Sequence, residues 1–409
     1  MAVRVLDLEL TGCFELPSVS ARYDAVRLLV RLRGVPLGYV EVANAEDELA
    51  PHALARSVMG LLGEPVWAEL VGQSLETEEE TANGDSNGAG GAGRLPLISV
   101  VVCTRDRPDE LEQCLAALAA QRYPLYEISV VDNAPHDDAT RRVVERWAAR
   151  YVLEPRPGLD WARNRGLAEA QAPIVAFTDD DARPDPGWLE ALAAGFAVPD
   201  VHAVTGPVVP AELETRAQAL FEDYYGGMGS GFGLKLHSRR GRPLTYQPNV
   251  YGTGCNMAFR RETLERLGGF DTALDVGTAT GGGGDLDVLQ RVIEGDGAIA
   301  YRPDALVRHV HRRTRRQLRR QLFDNGRGFS AVLWAALGRA RRADRLRVVY
   351  WWWLWIFWWH ARRLARRLLR REPMPLRLIL WELVGALLGP GAYWLARRRA
   401  RRLAHLAHD

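Results

Sequence analysis

From Ile98 onward, short apolar runs alternate with stretches of helical periodicity, and this rhythm constrains the fold more than any other feature of the chain. Residues 98–103 form a near-continuous apolar run, the pattern of a strand buried on both faces. In residues 108–121, Leu111, Leu115 and Leu118 recur at helical spacing. Residues 128–131 read as a second buried strand and 139–149 as a second helix. Residues 151–153, 161–170, 174–177 and 188–196 continue the alternation. A βαβα series of this kind predicts an α/β fold, a mostly parallel sheet with helices on both faces. Ligands of such sheets sit beyond the carboxyl ends of the strands.

Three of those ends are polar. The first strand runs into Thr104, Arg105, Asp106, Arg107 and Pro108, the second into Asp132 and Asn133, and residues 173–177 into Thr178 and Asp179–Asp180–Asp181. One Asp-bearing loop means only turn chemistry, but three at one sheet edge make a crevice. Adjacent carboxylates repel, and two readings account for Asp179–Asp181: a helix start, where acids favour the dipole, or a site for Mg2+ or Mn2+, which take hard oxygen ligands. Arg163, in the run Arg163-Asn164-Arg165-Gly166, is either a solvated surface residue or a diphosphate ligand with paired donors. Further on, Gly281–Gly284 precede Asp285-Leu286-Asp287 and an apolar helical pattern. Asp285 is there either an N-cap or a general base that takes a proton from a hydroxyl. Four glycines give a loop able to open and close over a ligand. His309 and His311 follow a short strand and could complete a metal shell.

With these positions in view, residues 96–330 resemble a family 2 glycosyltransferase of the GT-A fold, of the membrane-associated bacterial type. Residues 98–108 (ISVVVCTRDRP) are similar to the opening strand and nucleotide-contacting loop of that family. Residues 130–133 (VVDN) resemble the strand whose Asp holds the base, and 162–166 (ARNRG) the segment beside the diphosphate. Residues 175–181 (VAFTDDD) resemble the metal-binding DxD motif. Residues 254–261 (GCNMAFRR) with 268–271 (GGFD) resemble the acceptor-side stretch, and 283–291 (GGDLDVLQR) the G-[E/D]-D-x-D segment. The family's usual acid at the position of Gly284 is missing here. The resemblance implies a nucleotide-sugar-binding, Rossmann-like sheet and an inverting transfer to a hydroxyl acceptor. Asp285 would be the base, and Asp181, Asp179 and His309 would hold Mn2+ or Mg2+. Thr104, Arg107, Asp132, Arg163, Asp179 and Asp180 would contact the nucleotide sugar.

The flanking regions differ from this core. Residues 1–75 read as a small α+β accessory domain: Val26, Leu28, Val30 and Leu32 alternate with Arg27, Arg31 and Arg33, a strand with one buried face, followed by a turn at Gly34-Val35-Pro36. Residues 76–95 begin acidic, turn rich in Gly and Asn, and read as a flexible linker. Residues 331–409 read as a basic, Trp-rich helical segment. The 409-residue chain has a net charge of only +2, yet residues 308–409 hold 25 Arg against five acids, so an acidic body carries a basic tail. Such a tail seeks phosphates, and its Trp-rich run Val348–Trp359 favours the region between head groups and acyl chains. Residues 375–395 are longer, but Arg377, Glu382 and Gly389-Pro390-Gly391 interrupt them, so both runs read as interfacial or re-entrant. The expected partners are therefore a nucleotide-sugar donor, a lipid-linked or cell-envelope acceptor and a membrane surface, on the cytoplasmic side since residues 1–10 lack a secretory pattern.

Nucleic acid is an unfavourable partner, because the acidic crevice repels it and the Trp are consecutive rather than spread among charges. A nucleotidyltransferase would carry a Gly-rich phosphate loop near its first strand, and residues 104–108 have no glycine. That metal-dependent nucleotidyltransferase is the second enzyme reading, and a degenerate, transferase-like binding protein is a further alternative, distinguished by the absence of donor-dependent product. The four cysteines, Cys13, Cys103, Cys114 and Cys255, show no metal or disulfide spacing.

Overall fold

The computed structural model describes all residues except 1, 13–17, 83–94, 226–227, 229, 370–373 and 406–409. Three sheets are present among the described residues. The largest has eight strands: β4 (Ile98–Thr104), β5 (Tyr126–Asn133), β6 (Arg150–Glu154), β7 (Ile174–Asp179), β9 (Val201–Thr205), β11 (Lys235–His237), β12 (Met257–Arg260) and β13 (Ala298–Tyr301). Their order is β11-β13-β9-β12-β7-β4-β5-β6. Strands β7, β4, β5 and β6 are mutually parallel, and β12 enters antiparallel between β7 and β9. The sheet is thus mostly parallel, as the alternation predicts. Every side chain of β4 is buried, because core clusters cover both of its faces. The second helix is shorter than its periodicity suggests, Ala139–Val144, with Trp147 then turning onto the core.

The parallel register aligns the polar strand ends. Thr104 pairs with Asp132 across β4 and β5, and Cys103 with Asp179 across β4 and β7. Strands lie roughly 4.8 Å apart, so Asp132 and Asp179 stand on the order of 10 Å apart along one edge.

A second, three-stranded sheet joins β8 (Ala182–Pro184), β10 (Val208–Pro210) and β14 (Val307–His309) in the order β10-β14-β8. Strand β14 runs antiparallel to β8 with His309 opposite Ala182, and the Val310 N–H donates to the carbonyl of Asp181 at 3.2 Å. This small sheet is what carries His309 to the acidic cluster.

The N-terminal sheet has the order β1-β2-β3, from β1 (Val3–Glu9), β2 (Ala25–Leu32) and β3 (Val35–Ala43). The hairpin turns at Arg33-Gly34, both in the left-handed region, one step earlier than Gly34–Pro36. Strand β2 is buried on both faces rather than one. Its second face packs on the small sheet: Leu29 meets Val209 and Leu306, and the Arg31 guanidinium grips Asp185 with two bonds of 2.9 Å. The helix Pro51–Ala82 covers the other face and runs into the segment read as a linker; residues 83–94 of that segment lie outside the described residues.

In the C-terminal region the helix Arg315–Arg339 packs along the helix Leu376–His405. The latter is continuous through Pro390, in contrast to the expected interruption. The reason is close packing. A Cβ on Gly385 would stand 2.1 Å from the carbonyl oxygen of Phe323, so glycine here lets two helix backbones touch. Leu376–Ala404 is also long and apolar enough to cross a membrane, with 44% of its apolar window buried inside the protein. The Trp-rich run splits in two directions. Trp351, Trp352 and Trp355 pack on the core of the large sheet, whereas Trp353, Phe357 and Trp358 are more than half exposed.

Candidate active site

Beyond the carboxyl edge of the sheet lies a cleft of about 500 Å³. Asp160, Arg163, Asp179 and Asp285 are among its polar lining residues, and Phe329, Trp355 and Trp359 among its apolar ones. Met228 and Ser230 of the glycine-rich run 226–233 also line it, while residues 226, 227 and 229 lie outside the described residues. Gly281–Gly284 form part of the rim.

The acidic cluster divides its labour. Ligand atoms of Asp179, Asp181 and His309 all lie within 4.8 Å of one another, the arrangement a divalent cation needs. Nε2 of His309 is 3.1 Å from Oδ1 of Asp181. Its other nitrogen faces Nδ1 of His311 at 3.4 Å, and His311 in turn leans on Glu222 at 3.1 Å, so the ring is held from behind. Of the two histidines, His309 reaches the cluster and His311 braces it. Asp180 points elsewhere: it accepts from Thr104 Oγ1 at 2.8 Å and from Arg107 at 3.1 Å. Arg107 also reaches Asp181 at 3.2 Å, and Arg312 does so at 3.6 Å.

Burial opposes the charge on all three carboxylates, with different outcomes. Burial and the neighbouring Asp181 push Asp180 up to about 7, against the pull of Arg107. Burial also raises Asp179, against the pull of Arg163. For Asp181, burial is outweighed by His309, Arg312 and Arg107, which hold it below the usual carboxylate range. Burial works against a charged His309 ring too, but Asp181 prevails and raises it.

Arg163 is only 5% exposed and sits among carboxylates, 3.0 Å from Asp160 and 3.7 Å from Asp179. Asp285 opens the helix Gly284–Glu294, and its Oδ2 accepts the Gly254 N–H at 2.7 Å. Asp287, two residues on, is fully buried between Arg291 at 2.7 Å and Arg339 at 2.6 Å, and so ties the helix Arg315–Arg339 to the site. Asp285 faces the cleft; Asp287 holds the scaffold.

Asp132 lies outside the cleft lining, at the far end of the same strand edge. It is fully buried, takes the Tyr151 hydroxyl at 3.0 Å, and is pushed up to about 6 by burial. Its Oδ1 has no partner among the described residues.

Two buried acids escaped the sequence reading. Asp275 accepts the Asp160 N–H at 2.9 Å and so caps the helix Leu159–Glu169 from a distant loop. Asp160 stands one turn before Arg163 and pairs with it. That i,i+3 spacing was the one signal available in the sequence. Cys103, Cys114 and Cys255 are buried free thiols.

Residues 99–268 match the family model described as glycosyl transferase family 2. The glucosyl-dolichyl phosphate glucuronosyltransferase of Haloferax volcanii is 29% identical over 187 residues, covering 43% of this chain and 56% of that protein. The pre-mycofactocin glycosyltransferase of Mycobacterium tuberculosis is 31% identical over 215 residues, covering 53% of this chain and 43% of that protein. The match therefore spans about half the length of these relatives. Among solved structures, the mannosyltransferase PcManGT from Pyrobaculum calidifontis in complex with GDP-Man and Mn2+ has a TM-score of 0.48 and 21% identity, covering 81% of this chain and 95% of that one. The likeness to glycosyl transferase family 2 thus lies in residues 99–268, which carry β4 to β12 and the acidic cluster.

Proposed function

We propose that the protein transfers a sugar, with inversion, from a nucleoside-diphosphate donor to a hydroxyl acceptor, and that the acceptor is lipid-linked or part of the cell envelope. The observation that carries this reading is the sharing of one cleft by Asp179 of the acidic cluster and Asp285 of the glycine-rich loop. Leaving group and nucleophile must approach the anomeric carbon from opposite sides, so the two groups that serve them must face one space.

Each residue then has a task. Asp132, at the outer end of the edge, accepts an N–H of the nucleotide base, which satisfies its unpartnered oxygen. Thr104 and Arg107 hold Asp180, and Arg107 adds a guanidinium within reach of the donor phosphates. Asp179, Asp181 and His309 would hold a divalent cation, Mn2+ or Mg2+. When bound, that cation supplies positive charge to the departing diphosphate. Arg163 balances Asp160 and Asp179 and contributes a second positive group to the cleft. Asp285 is fixed by the Gly254 N–H through one oxygen, which leaves the other for the acceptor proton. The oxygen–anomeric carbon bond forms as the bond to the diphosphate breaks, and the hydroxyl proton passes to Asp285.

The exposed Trp353, Phe357 and Trp358 beside an Arg-rich helix support a place at an anionic membrane surface, on the cytoplasmic side where nucleotide sugars are made available. The name of the Haloferax volcanii relative, which mentions dolichyl phosphate, agrees with a lipid-linked acceptor. The deciding experiment is transfer of radiolabelled sugar to membrane lipids by wild-type protein and by Asp285→Asn and Asp181→Ala. Loss in both variants is expected; near-normal transfer in either would end this mechanism.

A further inference from the structure

We propose that Asp160 is a second carboxyl group of the acceptor subsite, one that grips a hydroxyl adjacent to the hydroxyl deprotonated by Asp285, so that the acceptor is a sugar presenting a vicinal diol. The inference rests on the glycosyltransferase reading above and deepens it by naming the acceptor chemistry.

The geometry is specific. Asp160 lines the cleft yet is only 1% exposed. Its Oδ1 takes the Arg163 Nη1–H at 3.0 Å, while its Oδ2 has no partner among the described residues. A buried carboxyl oxygen left without a partner is costly, and in a cleft wall the partner it fits is a ligand donor. The backbone behind it is not free to adjust, since Asp275 accepts the Asp160 N–H and fixes the helix start.

Gly284 shows where that oxygen points. A Cβ on Gly284 would stand 1.7 Å from Asp160 Oδ2, so the carboxyl group fills the space that any larger residue would need. Gly284 is the residue before Asp285, and both Asp160 and Asp285 line the cleft.

The unpartnered oxygen then selects the acceptor. A neutral polyol brings a hydroxyl donor that Asp160 Oδ2 lacks, whereas an ionised phosphate nucleophile brings only acceptor oxygens to it. Asp160 changes no bond in the reaction. The hydroxyl proton still goes to Asp285 and the electron pair of the broken bond to the diphosphate; Asp160 sets which hydroxyl stands at Asp285.

The test uses the full-length protein with a nucleotide sugar that stabilises it. The probes are octyl glycosides of the common hexoses, their monodeoxy analogues, octanol and a polyprenyl phosphate. Wild-type protein is expected to glycosylate an octyl glycoside. Asp160→Asn and Asp160→Ala are expected to raise the KM for that glycoside by about tenfold or more, with a much smaller change in donor KM. One monodeoxy analogue should lose as much with wild-type protein and nothing further with Asp160→Ala. Gly284→Ala should impair the wild type, because its methyl meets Asp160, and be tolerated in Asp160→Ala; this non-additivity holds even if either single variant loses some thermal stability. Additive losses, or an Asp160 effect carried by donor KM and melting temperature alone, overturn the proposal. Transfer to octanol or polyprenyl phosphate but to no glycoside also overturns it while leaving a working glycosyltransferase. No transfer to any probe sinks the glycosyltransferase reading and this inference with it.

Discussion

Nε2 of His309 lies 3.1 Å from Oδ1 of Asp181, although the two residues belong to different strand connections. The pairing is made by backbone: β14 lies against β8, and the Val310 N–H holds the Asp181 carbonyl. His309→Ala should therefore weaken Mn2+ binding by at least about tenfold while the fold persists. Calorimetric titration of Mn2+ in the presence of a nucleoside diphosphate checks this. An unchanged affinity would remove His309 from the ligand set.

Asp285→Asn keeps the side chain's shape and its bond to the Gly254 N–H but removes the carboxylate proposed as the base. Transfer should fall by about 10²- to 10⁴-fold. Nucleotide and cation binding, measured by the same titrations, should stay close to wild type. A fall in binding that matches the fall in rate would assign Asp285 to the donor side.

Asp132 gives the pH dependence. Burial raises it to about 6, Tyr151 and Thr140 oppose that shift, and the acids Asp106 and Asp137 add to it. Asp106 is itself paired with His136. Because the folded value exceeds the unfolded one, Asp132's contribution to stability is complete below about pH 4 and is lost as pH rises through about 6. Nucleotide binding has the opposite sign, since the base N–H needs the ionised carboxylate. Affinity should drop about tenfold per unit below pH 6 and level off above it. Calorimetry of nucleotide binding between pH 5 and 8 reads this directly, and a flat profile between pH 5 and 7 contradicts it.

Much of the fold was legible in the sequence because buried parallel strands leave unbroken apolar runs, as in Ile98–Thr104, and because their ends carry polar residues in order. The acidic cluster and Asp285 were legible for the same reason. What escaped depends on pairings distant in sequence. Asp160 gains meaning from the absent side chain at Gly284, and Asp275 from the helix start it caps. The second buried face of β2 depends on Leu29 meeting Val209 and Leu306, and on Arg31 meeting Asp185. Gly389 and Pro390 read as a break, yet the helix Leu376–His405 continues through them, with Gly385 packed against the neighbouring helix.

Asp287 is a scaffold residue with no access to the cleft. Asp287→Ala leaves Arg291 and Arg339 without their carboxylate and should cost about 3 kcal/mol, since it breaks a buried ion pair. Urea denaturation measures the loss. A change below roughly 0.5 kcal/mol, ordinary for a surface substitution, would place Asp287 outside the structural network.

The exposed Trp353, Phe357 and Trp358 lie next to the helix His360–Leu368, which carries Arg362, Arg363, Arg366 and Arg367. Binding to vesicles containing anionic lipid should exceed binding to neutral vesicles and weaken with added salt. The double variant Trp353→Ala, Trp358→Ala should release the protein from both. Equal binding to anionic and neutral vesicles at all salt concentrations would exclude the electrostatic part of this docking.

Asp179, Asp181 and His309 are proposed to hold a cation for a nucleotide sugar whose base lies at Asp132. Thermal denaturation of the full chain with nucleoside-diphosphate sugars, with and without Mn2+, tests this. At least one such sugar should raise the melting temperature only when Mn2+ is present, and Asp181→Ala should abolish that rise. Stabilisation that is indifferent to Mn2+, or that survives intact in Asp181→Ala, would exclude a cation-held donor at this cluster.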